Sequence, residues 1–392
     1  MMPCKVVLAA GGTGGHVFPA LSLAQTLTQQ GHEVLVLTDA RGRAFEVEKQ
    51  RWEVKNINVP NPNIGGVLGK LKASLHFLFG YFMAHKIIRN FSADVVVGFG
   101  GYPSFAPVLA ALFLRKPVVL HEQNSVLGRV NRLLSKKATI VAKSFKKTLG
   151  LEGEKTLSSL TGNPVREEII NIRKMPVPTL SENDEINVLI FGGSLGARIL
   201  SDVVPSAIAK LPSNIRRRIK ITQQCREEDV NRVLAVYNKH GVAAELETFF
   251  PQISELLKKT HLVISRSGAS TIAELTVAGR PSILVPYSSA LDNHQFENAM
   301  LLVESGAAWC IEEEVFDPDS LAKRLVLIFE NCRTHGAMAA AAHSIGIPDA
   351  AERLADLVIQ MASQYSNRLS MSDKLAVSFL PWLFLCRLEN LK

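Results

Sequence analysis

The sequence predicts an α/β protein built from two doubly wound parallel sheets that face each other across a cleft. Three observations lead there. Short apolar runs alternate with helical patterns from Lys5 onward, which is how parallel sheets covered on both faces read in sequence. The alternation restarts at Asn187, after a break near Thr161-Gly162-Asn163-Pro164. Each half also places a glycine turn between its first strand and first helix, Gly11–His16 in one and Gly192–Ala197 in the other.

At 392 residues the chain exceeds one small core and suits two domains. A hydrophobic content of 47% and a mean hydropathy of +0.14 describe a well-buried chain with some apolar surface to spare. Cys4, Cys225, Cys310, Cys332 and Cys386 lack paired spacing, which argues for a reducing compartment rather than a disulfide framework or a zinc site. The apolar run Val6–Ala10 passes straight into glycines, so no signal peptide is expected. No uncharged apolar stretch is long enough to span a bilayer. Charge is unevenly placed. Up to Pro164 there are 20 Lys and Arg against 9 Asp and Glu, whereas the remainder has 24 against 27. A basic first half calls for an anionic partner. With no aromatic-rich basic motif to suggest nucleic acid, an anionic membrane surface is the expected one.

In the first half, Lys5–Ala10 reads as a strand, Gly11–His16 as a turn, and the next helix runs to about Gln30 with Pro19 in its first turn. Glu33–Leu37 is the second strand. Asp94–Gly101 and Val118–Leu120 are further strands, the latter leading into His121-Glu122-Gln123-Asn124. Ligands of such sheets sit at the carboxyl ends of strands, where these residues collect. His16, at the mouth of the first helix, is a candidate general base. The turn also supplies two of the three glycines of a dinucleotide motif, with Asp39 placed to take a ribose, so a dehydrogenase is an alternative reading.

Gly69–Phe91 is a helical pattern with too many apolar positions for one face. Leu71, Leu75, Leu78 and Phe82 form a stripe, Phe77, Phe79 and Tyr81 lie elsewhere, and Lys70, Lys72, Lys86 and Arg89 flank them. A helix buried on two sides would read this way. A patch that dips into a membrane interface fits the basic flanks better.

In the second half, the stretch from Leu262 to Asn298 is the most informative. Leu262–Ser265 is a strand, Ser267–Thr271 a small-residue turn, and the helix through Ile272, Glu274 and Ala278 stops at Gly279-Arg280-Pro281. Ile283–Val285 is the next strand, and a further helix carries His294, Gln295 and Asn298 on roughly one face. A turn without side-chain bulk at a helix N-terminus suits a phosphate. Glu274, one turn in, can accept two hydrogen bonds from a ribose diol, and His294, Gln295 and Asn298 suit sugar hydroxyls and an amide.

Taken in order, Gly11–His16, Gly98–Ser104, His121–Asn124, Gly162–Arg166, Gly192–Ala197, Ser267–Glu274 and Asp292–Gln295 resemble one family. It is the lipid-linked N-acetylglucosaminyltransferases of peptidoglycan synthesis, the MurG family, and the likeness runs from about Lys5 to Ser363. The resemblance implies a GT-B fold of two Rossmann-like domains. Residues 1–164, joined by a C-terminal helix over 345–363, would face the acceptor and the membrane, and residues 165–344 would bind the UDP-sugar. It implies an inverting transfer of N-acetylglucosamine from UDP-N-acetylglucosamine to an undecaprenyl-diphosphate-linked N-acetylmuramoyl pentapeptide. The enzyme would sit peripherally on the cytoplasmic face of the bacterial inner membrane, beside other cell-wall synthesis proteins, with no cofactor and no metal.

Carried over by motif, nucleotide-sugar contacts fall on Thr13, Gly14, Gly15, Asn124, Arg166, Ser194, Phe250, Ala269, Ser270, Thr271, Ile272, Ala273, Glu274, Gln295 and Asn298. Phe250 would act through its backbone. His16 becomes the base, with Glu122 and Tyr102 near the acceptor. Elementary chemistry agrees: an acceptor hydroxyl must lose a proton as the sugar–phosphate bond breaks. The departing diphosphate gains charge that a helix N-terminus and Arg166 can stabilise. A UDP-sugar epimerase, an NAD enzyme or a non-catalytic nucleotide-sugar binder would share the twin sheets without needing the lipid-facing helix or the His16 base. The tail, residues 364–392, departs from the family; its apolar run Leu375–Cys386 is too short to span a bilayer and reads either as an interfacial anchor or as foreign sequence.

Overall fold

Val6, Val7, Leu8 and Ala9 have no solvent exposure, and a strand buried on both faces belongs inside a parallel sheet. A computed structural model describes residues 3–39, 51–57, 66–151, 156–181, 184–193 and 196–366, with side chains of the long helix from residue 75 onward. In it, β1 (Lys5–Ala9) lies between β2 (Glu33–Thr38) and β4 (Val95–Gly98), with Val7 opposite both Leu35 and Val96. Adding β3 (Glu53–Asn56), β5 (Val118–Glu122), β6 (Ile140–Lys143) and β7 (Ser158–Leu160) gives seven parallel strands in the order β3-β2-β1-β4-β5-β6-β7.

The second sheet has β8 (Ile186–Phe191), β9 (Ile219–Gln224), β10 (Ala243–Glu247), β11 (Leu262–Ser265), β12 (Ser282–Leu284) and β13 (Ala308–Cys310). Its six strands are parallel in the order β10-β9-β8-β11-β12-β13. In both sheets the connections reverse direction beside the first strand, between β1 and β4 and between β8 and β11. The crevice at such a switch point is where a doubly wound sheet binds its ligand. The fold class expected from the alternating pattern is the one found.

Helices cover both faces of each sheet. In chain order they are α1 (Gly14–Gln29), α2 (Gly66–Phe91), α3 (Gly101–Phe113), α4 (Arg129–Leu134), α5 (Glu167–Arg173), α6 (Arg198–Ala209) and α7 (Ser213–Arg216). Then come α8 (Val230–Lys239), α9 (Ile253–Lys259), α10 (Ala269–Ala278), α11 (His294–Glu304), α12 (Pro318–Phe329), α13 (Cys332–Ile345) and α14 (350–366). α1 packs Val17, Leu23 and Leu27 on the first sheet, and α14 returns to that same core with Leu354, Val358 and Met361. On the opposite face, α2 and α3 contribute Ala84, Ile88, Ala106 and Val108. Val165, Ile169 and Ile172, around α5, belong instead to a core of the second sheet with Leu189, Val263 and Leu275.

α2 differs from its sequence reading in one respect. Leu75, Leu78, Phe79 and Phe82 are all exposed, with Phe113 of α3 nearby in the chain's packing. Phe79 was expected off this stripe, but the i, i+4 spacing from Leu75 puts it on the same face. Phe77 and Tyr81 turn inward, Phe77 stacking on Phe105 at 5.1 Å between ring centroids and Tyr81 meeting Phe113 edge-on at 5.8 Å. The side chains of Lys70, Leu71 and Lys72 lie outside the described residues, as do Ser194 and the tail from residue 367.

Candidate active site

The first glycine turn lets the chain leave β1 sharply. A Cβ on Gly11 would lie 2.7 Å from Asp39 Oδ1, and Gly12 N donates to that same oxygen at 3.2 Å. Asp39 therefore braces the turn, which removes the geometric case for a ribose there. α1 starts at Gly14 with no acidic residue in its first turn, so the amides of Gly14 and Gly15 lack a carbonyl behind them. Thr13 Oγ1 lies 3.2 Å from His16 Nδ1. The His16 ring occupies space left by Gly101, whose missing Cβ would sit 3.4 Å from His16 Cε1. Tyr102 follows, exposed, in the first turn of α3. Thr13, His16 and Tyr102 thus gather at the carboxyl edge between β1 and β4.

The loop after β5 is a buried polar network. His121 Nε2 donates to Gly162 O at 3.1 Å, and Nδ1 accepts from Gln123 Nε2 at 3.0 Å. Burial lowers its pKa to about 4, opposed by the bond to Gly162 and helped by the charge of His16. Glu122, expected near the acceptor, is buried to 1% exposure with its carboxylate turned inward. Oε1 accepts from Asn124 N and Nδ2 at 3.0 and 3.4 Å, and Oε2 accepts from Gly128 N and Asn131 Nδ2 at 2.9 and 2.8 Å. Burial raises the Glu122 pKa, and these four donors oppose the rise. In this arrangement it holds the loop.

The second half offers two turns. Gly192 N donates to Gln224 Oε1 at 3.1 Å, and a Cβ on Gly192 would fall 2.3 Å from Ala197 N, so only glycine fits. At the end of β11, Gly268 is the N-cap of α10 with no side-chain cap and no acid in the first turn. The first-turn amides over Ala269–Thr271 are therefore open to an anion. Ser270 Oγ is buried there without a hydrogen-bond partner. Ile272 packs into the core beneath, and Ala273 is half-buried. One turn on, Glu274 Oε1 accepts both Arg166 Nε at 3.1 Å and Arg166 Nη2 at 2.7 Å. Burial raises the Glu274 pKa, and Arg166 opposes the rise. Arg166 also lies 5.2 Å above the Phe18 ring, which ties this pair to α1 of the first half.

Gln295 receives Tyr287 N on its Oε1 at 3.0 Å, and its own carbonyl accepts Ser267 Oγ at 2.7 Å. Phe250 sits in the turn after β10 with its ring against the Leu257 core. Asn298 is likewise held from within. It was expected on the sugar, yet it has no exposure and its amide is bonded to Ser125, Asn124 and Ser267. Among the described residues His294 bonds locally, its Nδ1 2.6 Å from Leu291 O. The sequence does hold one Asp-x-Asp pattern, Asp317 to Asp319, and it is a helix cap: Asp317 Oδ1 accepts from Asp319 N and Ser320 N, both at 2.9 Å. Sequence reasoning missed Ser125 and Asn131. Only Asn131 left a signal, since it shares the i, i+3 buried face of α4 with Leu134.

Comparison with known proteins settles the family. Residues 6–143 match the glycosyltransferase family 28 N-terminal domain, and residues 187–354 match its C-terminal domain. The chain belongs to glycosyltransferase family 28. Within this family it is 42% identical over 369 residues to the UDP-N-acetylglucosamine–N-acetylmuramyl-(pentapeptide) pyrophosphoryl-undecaprenol N-acetylglucosamine transferase of Rhodospirillum centenum, covering 94% of this chain and 97% of that protein. The protein of the same name from Zymomonas mobilis is 43% identical over 372 residues, covering 94% and 95%. The crystal structure of MurG from Acinetobacter baumannii superposes with a TM-score of 0.75 at 29% identity, over 91% of this chain and all of that one. A UDP-GlcNAc 2-epimerase from Neisseria meningitidis has the same fold at a TM-score of 0.65 but only 15% identity, covering 91% of this chain and all of that one. The fold alone would not separate transferase from epimerase. The family 28 sequence does.

Proposed function

We propose that this chain transfers N-acetylglucosamine from UDP-N-acetylglucosamine to an undecaprenyl-diphosphate-linked N-acetylmuramoyl pentapeptide in peptidoglycan synthesis. The observation that carries this reading is the 42% identity, along nearly the whole chain, with a transferase of that name. The site is compatible with it. The open amides of Ala269, Ser270 and Thr271 at the start of α10 face the diphosphate, with the amides of Gly14 and Gly15 completing the cradle. Ile272 and Ala273 line the helix behind them. Glu274 takes the ribose diol, and the Phe250 backbone takes the uracil. Gln295 Nε2 and Asn124 bind sugar hydroxyls, and Arg166 moves from Glu274 onto the diphosphate.

The reaction is a single displacement with inversion. The acceptor hydroxyl oxygen attacks the anomeric carbon from the face opposite UDP. As the C–O bond to UDP breaks, UDP leaves with the electron pair and His16 takes the hydroxyl proton. Thr13 Oγ1 lies beside Nδ1 and orients the ring. Charge growing on UDP meets the helix N-terminus and Arg166. Tyr102, exposed beside His16, contacts the acceptor.

In this reading, residues 1–164 with the helix over 345–363 form the acceptor and membrane domain, and residues 165–344 form the donor domain. The enzyme works at the cytoplasmic face of the bacterial inner membrane, held peripherally by α2 and by partners in cell-wall synthesis. Among the described residues no helix is long and apolar enough to cross a membrane. The test is incubation with radiolabelled UDP-N-acetylglucosamine and a lipid-diphosphate acceptor, followed by extraction. Label should enter the lipid phase. Label that stays in the water phase overturns the assignment.

A further inference from the structure

Asn298 lies one turn inside α11 and has no solvent exposure. A buried amide is tolerated when its hydrogen bonds are complete, and a primary amide offers two acceptor and two donor positions. All four are used. Oδ1 accepts from Ser125 N and Ser125 Oγ, both at 2.9 Å, and Nδ2 donates to Asn124 Oδ1 and Ser267 O, both at 3.1 Å. Three of these bonds reach the loop after β5 in the first half. The fourth reaches the carbonyl just before the Gly268 turn in the second half.

The network continues on each side. Asn124 N binds Glu122 Oε1, and Glu122 Oε2 is held by Gly128 N and Asn131 Nδ2. On the other side Ser267 Oγ donates to Gln295 O. One run of hydrogen bonds therefore joins the acceptor-side loop to the donor-side turn. Two further features brace the same crossing. Asp292 Oδ2 lies 3.7 Å from both Arg129 Nε and Arg132 Nη2. Asp292 and Asn293 both have φ of 53°, a left-handed strain that persists only where the surroundings hold it.

We infer that Asn298 is a positioning residue for transfer, fixing the loop after β5 against the donor turn so that the sugar held by one half meets the base carried by the other. The inference rests on the donor and acceptor placement of the proposed function. Three of the four bonds run between the halves, and the fourth ties Asn298 to the donor turn, so their loss misaligns the reacting groups while leaving each half folded.

The test compares Asn298→Ala, Ser125→Ala and the double variant in the full-length protein, measuring UDP affinity by calorimetry, turnover at saturating substrates, and melting temperature. Asn298→Ala should hold UDP affinity within about twofold while turnover falls about 10²-fold, the usual cost of a misplacement near 1 Å. Ser125→Ala should lower turnover less, and the double variant should be no worse than Asn298→Ala alone, because both remove one linkage. Tyr237→Phe, which loses a buried 2.6 Å bond to Gln223 Oε1, is the stability control: it should lower the melting temperature and leave turnover alone. Turnover that falls only in step with UDP affinity, or effects of Ser125→Ala and Asn298→Ala that multiply, would overturn the inference. If Asn298→Ala does not fold, Ser125→Ala decides: unchanged turnover refutes the linkage. Wild-type protein that transfers no label would count against the proposed function and not against the linkage.

Discussion

Each half of the molecule holds a glutamate at its loop edge, Glu122 buried and Glu274 partly so, and the two are used differently. Glu122, in the first half, meets four uncharged donors that occupy both oxygens. Glu274, in the second, meets one cation, and both bonds from Arg166 fall on Oε1. Among the described residues nothing bonds its Oε2. Burial raises both acids above the usual carboxylate range. The opposing influence on Glu122 is fixed structure, whereas on Glu274 it is a charge that a diphosphate can draw away. Under the proposed function, the first half holds its loops rigid for chemistry, and the second keeps its groups exchangeable for binding.

The sharpest way to break this contrast is at His16. If the first half carries the chemistry, His16→Ala should lower turnover by about 10²–10⁴-fold, the worth of a positioned base. UDP affinity should hardly change, since the proposed function has the nucleotide bound mainly by the second half. If instead His16 only orders the glycine turn through Thr13, stability and acceptor affinity would drop together while saturating turnover stayed near wild type. Turnover, acceptor affinity and melting temperature measured on one preparation separate the two.

His121 tests the rigidity of the first half. It is buried and neutral, with a pKa lowered to about 4 in the folded chain against an ordinary 6.5. The unfolded chain therefore takes up a proton that the folded chain does not. That contribution to stability is complete above pH 6.5 and is lost as the pH falls toward 4, a change of about 3 kcal/mol. Thermal melts across that range should show the loss, and His121→Gln should flatten it. An acid limb unchanged by the substitution would place the titration elsewhere.

The contrast also explains what the sequence could and could not reveal. The glycine turns, the strand alternation and Glu274 one turn into its helix are local patterns, set by neighbours within a few residues. Glu122 and Asn298 are not. Nothing near Asn298 in the chain announces that Ser125, 173 residues away, will occupy its amide. Spacing suggests Asn298 for a sugar and the family resemblance places Glu122 near the acceptor, whereas in the fold Asn298 is bonded across the chain and Glu122 to the loop that follows it. The exposed position of Phe79 is a simpler case, since i, i+4 spacing from Leu75 was enough to find it.

Exchangeability in the second half is tested at Glu274. Glu274→Ala removes the proposed ribose acceptor and should weaken UDP binding by about 1.5–3 kcal/mol, as for a hydrogen bond to a charged group. Calorimetry with UDP alone reads this directly. A folded variant with unchanged affinity would mean that Glu274 serves only to hold Arg166, making it the counterpart of Glu122 after all.

The smallest expected effect is on the outer surface of the first half, where rigidity meets a soft partner. Leu75, Leu78, Phe79 and Phe82 form an exposed apolar face on α2, and one turn further Lys86 and Arg89 continue it, also exposed. Apolar contact and basic charge on one helix face reinforce each other at an anionic lipid surface. Lys86→Gln should weaken binding to anionic vesicles by about 1 kcal/mol, the worth of one charge near the surface. Replacing Arg89 as well should roughly double the loss, and added salt should shrink both, because such attraction fades beyond a Debye length of about 10 Å. Phe79→Ser should weaken binding in a way that salt does not change, since its contribution is apolar area. None of these substitutions should alter turnover on a soluble acceptor analogue, because the face lies outside the proposed site. Vesicle flotation indifferent to salt, to Lys86→Gln and to Phe79→Ser would show that α2 meets something other than lipid.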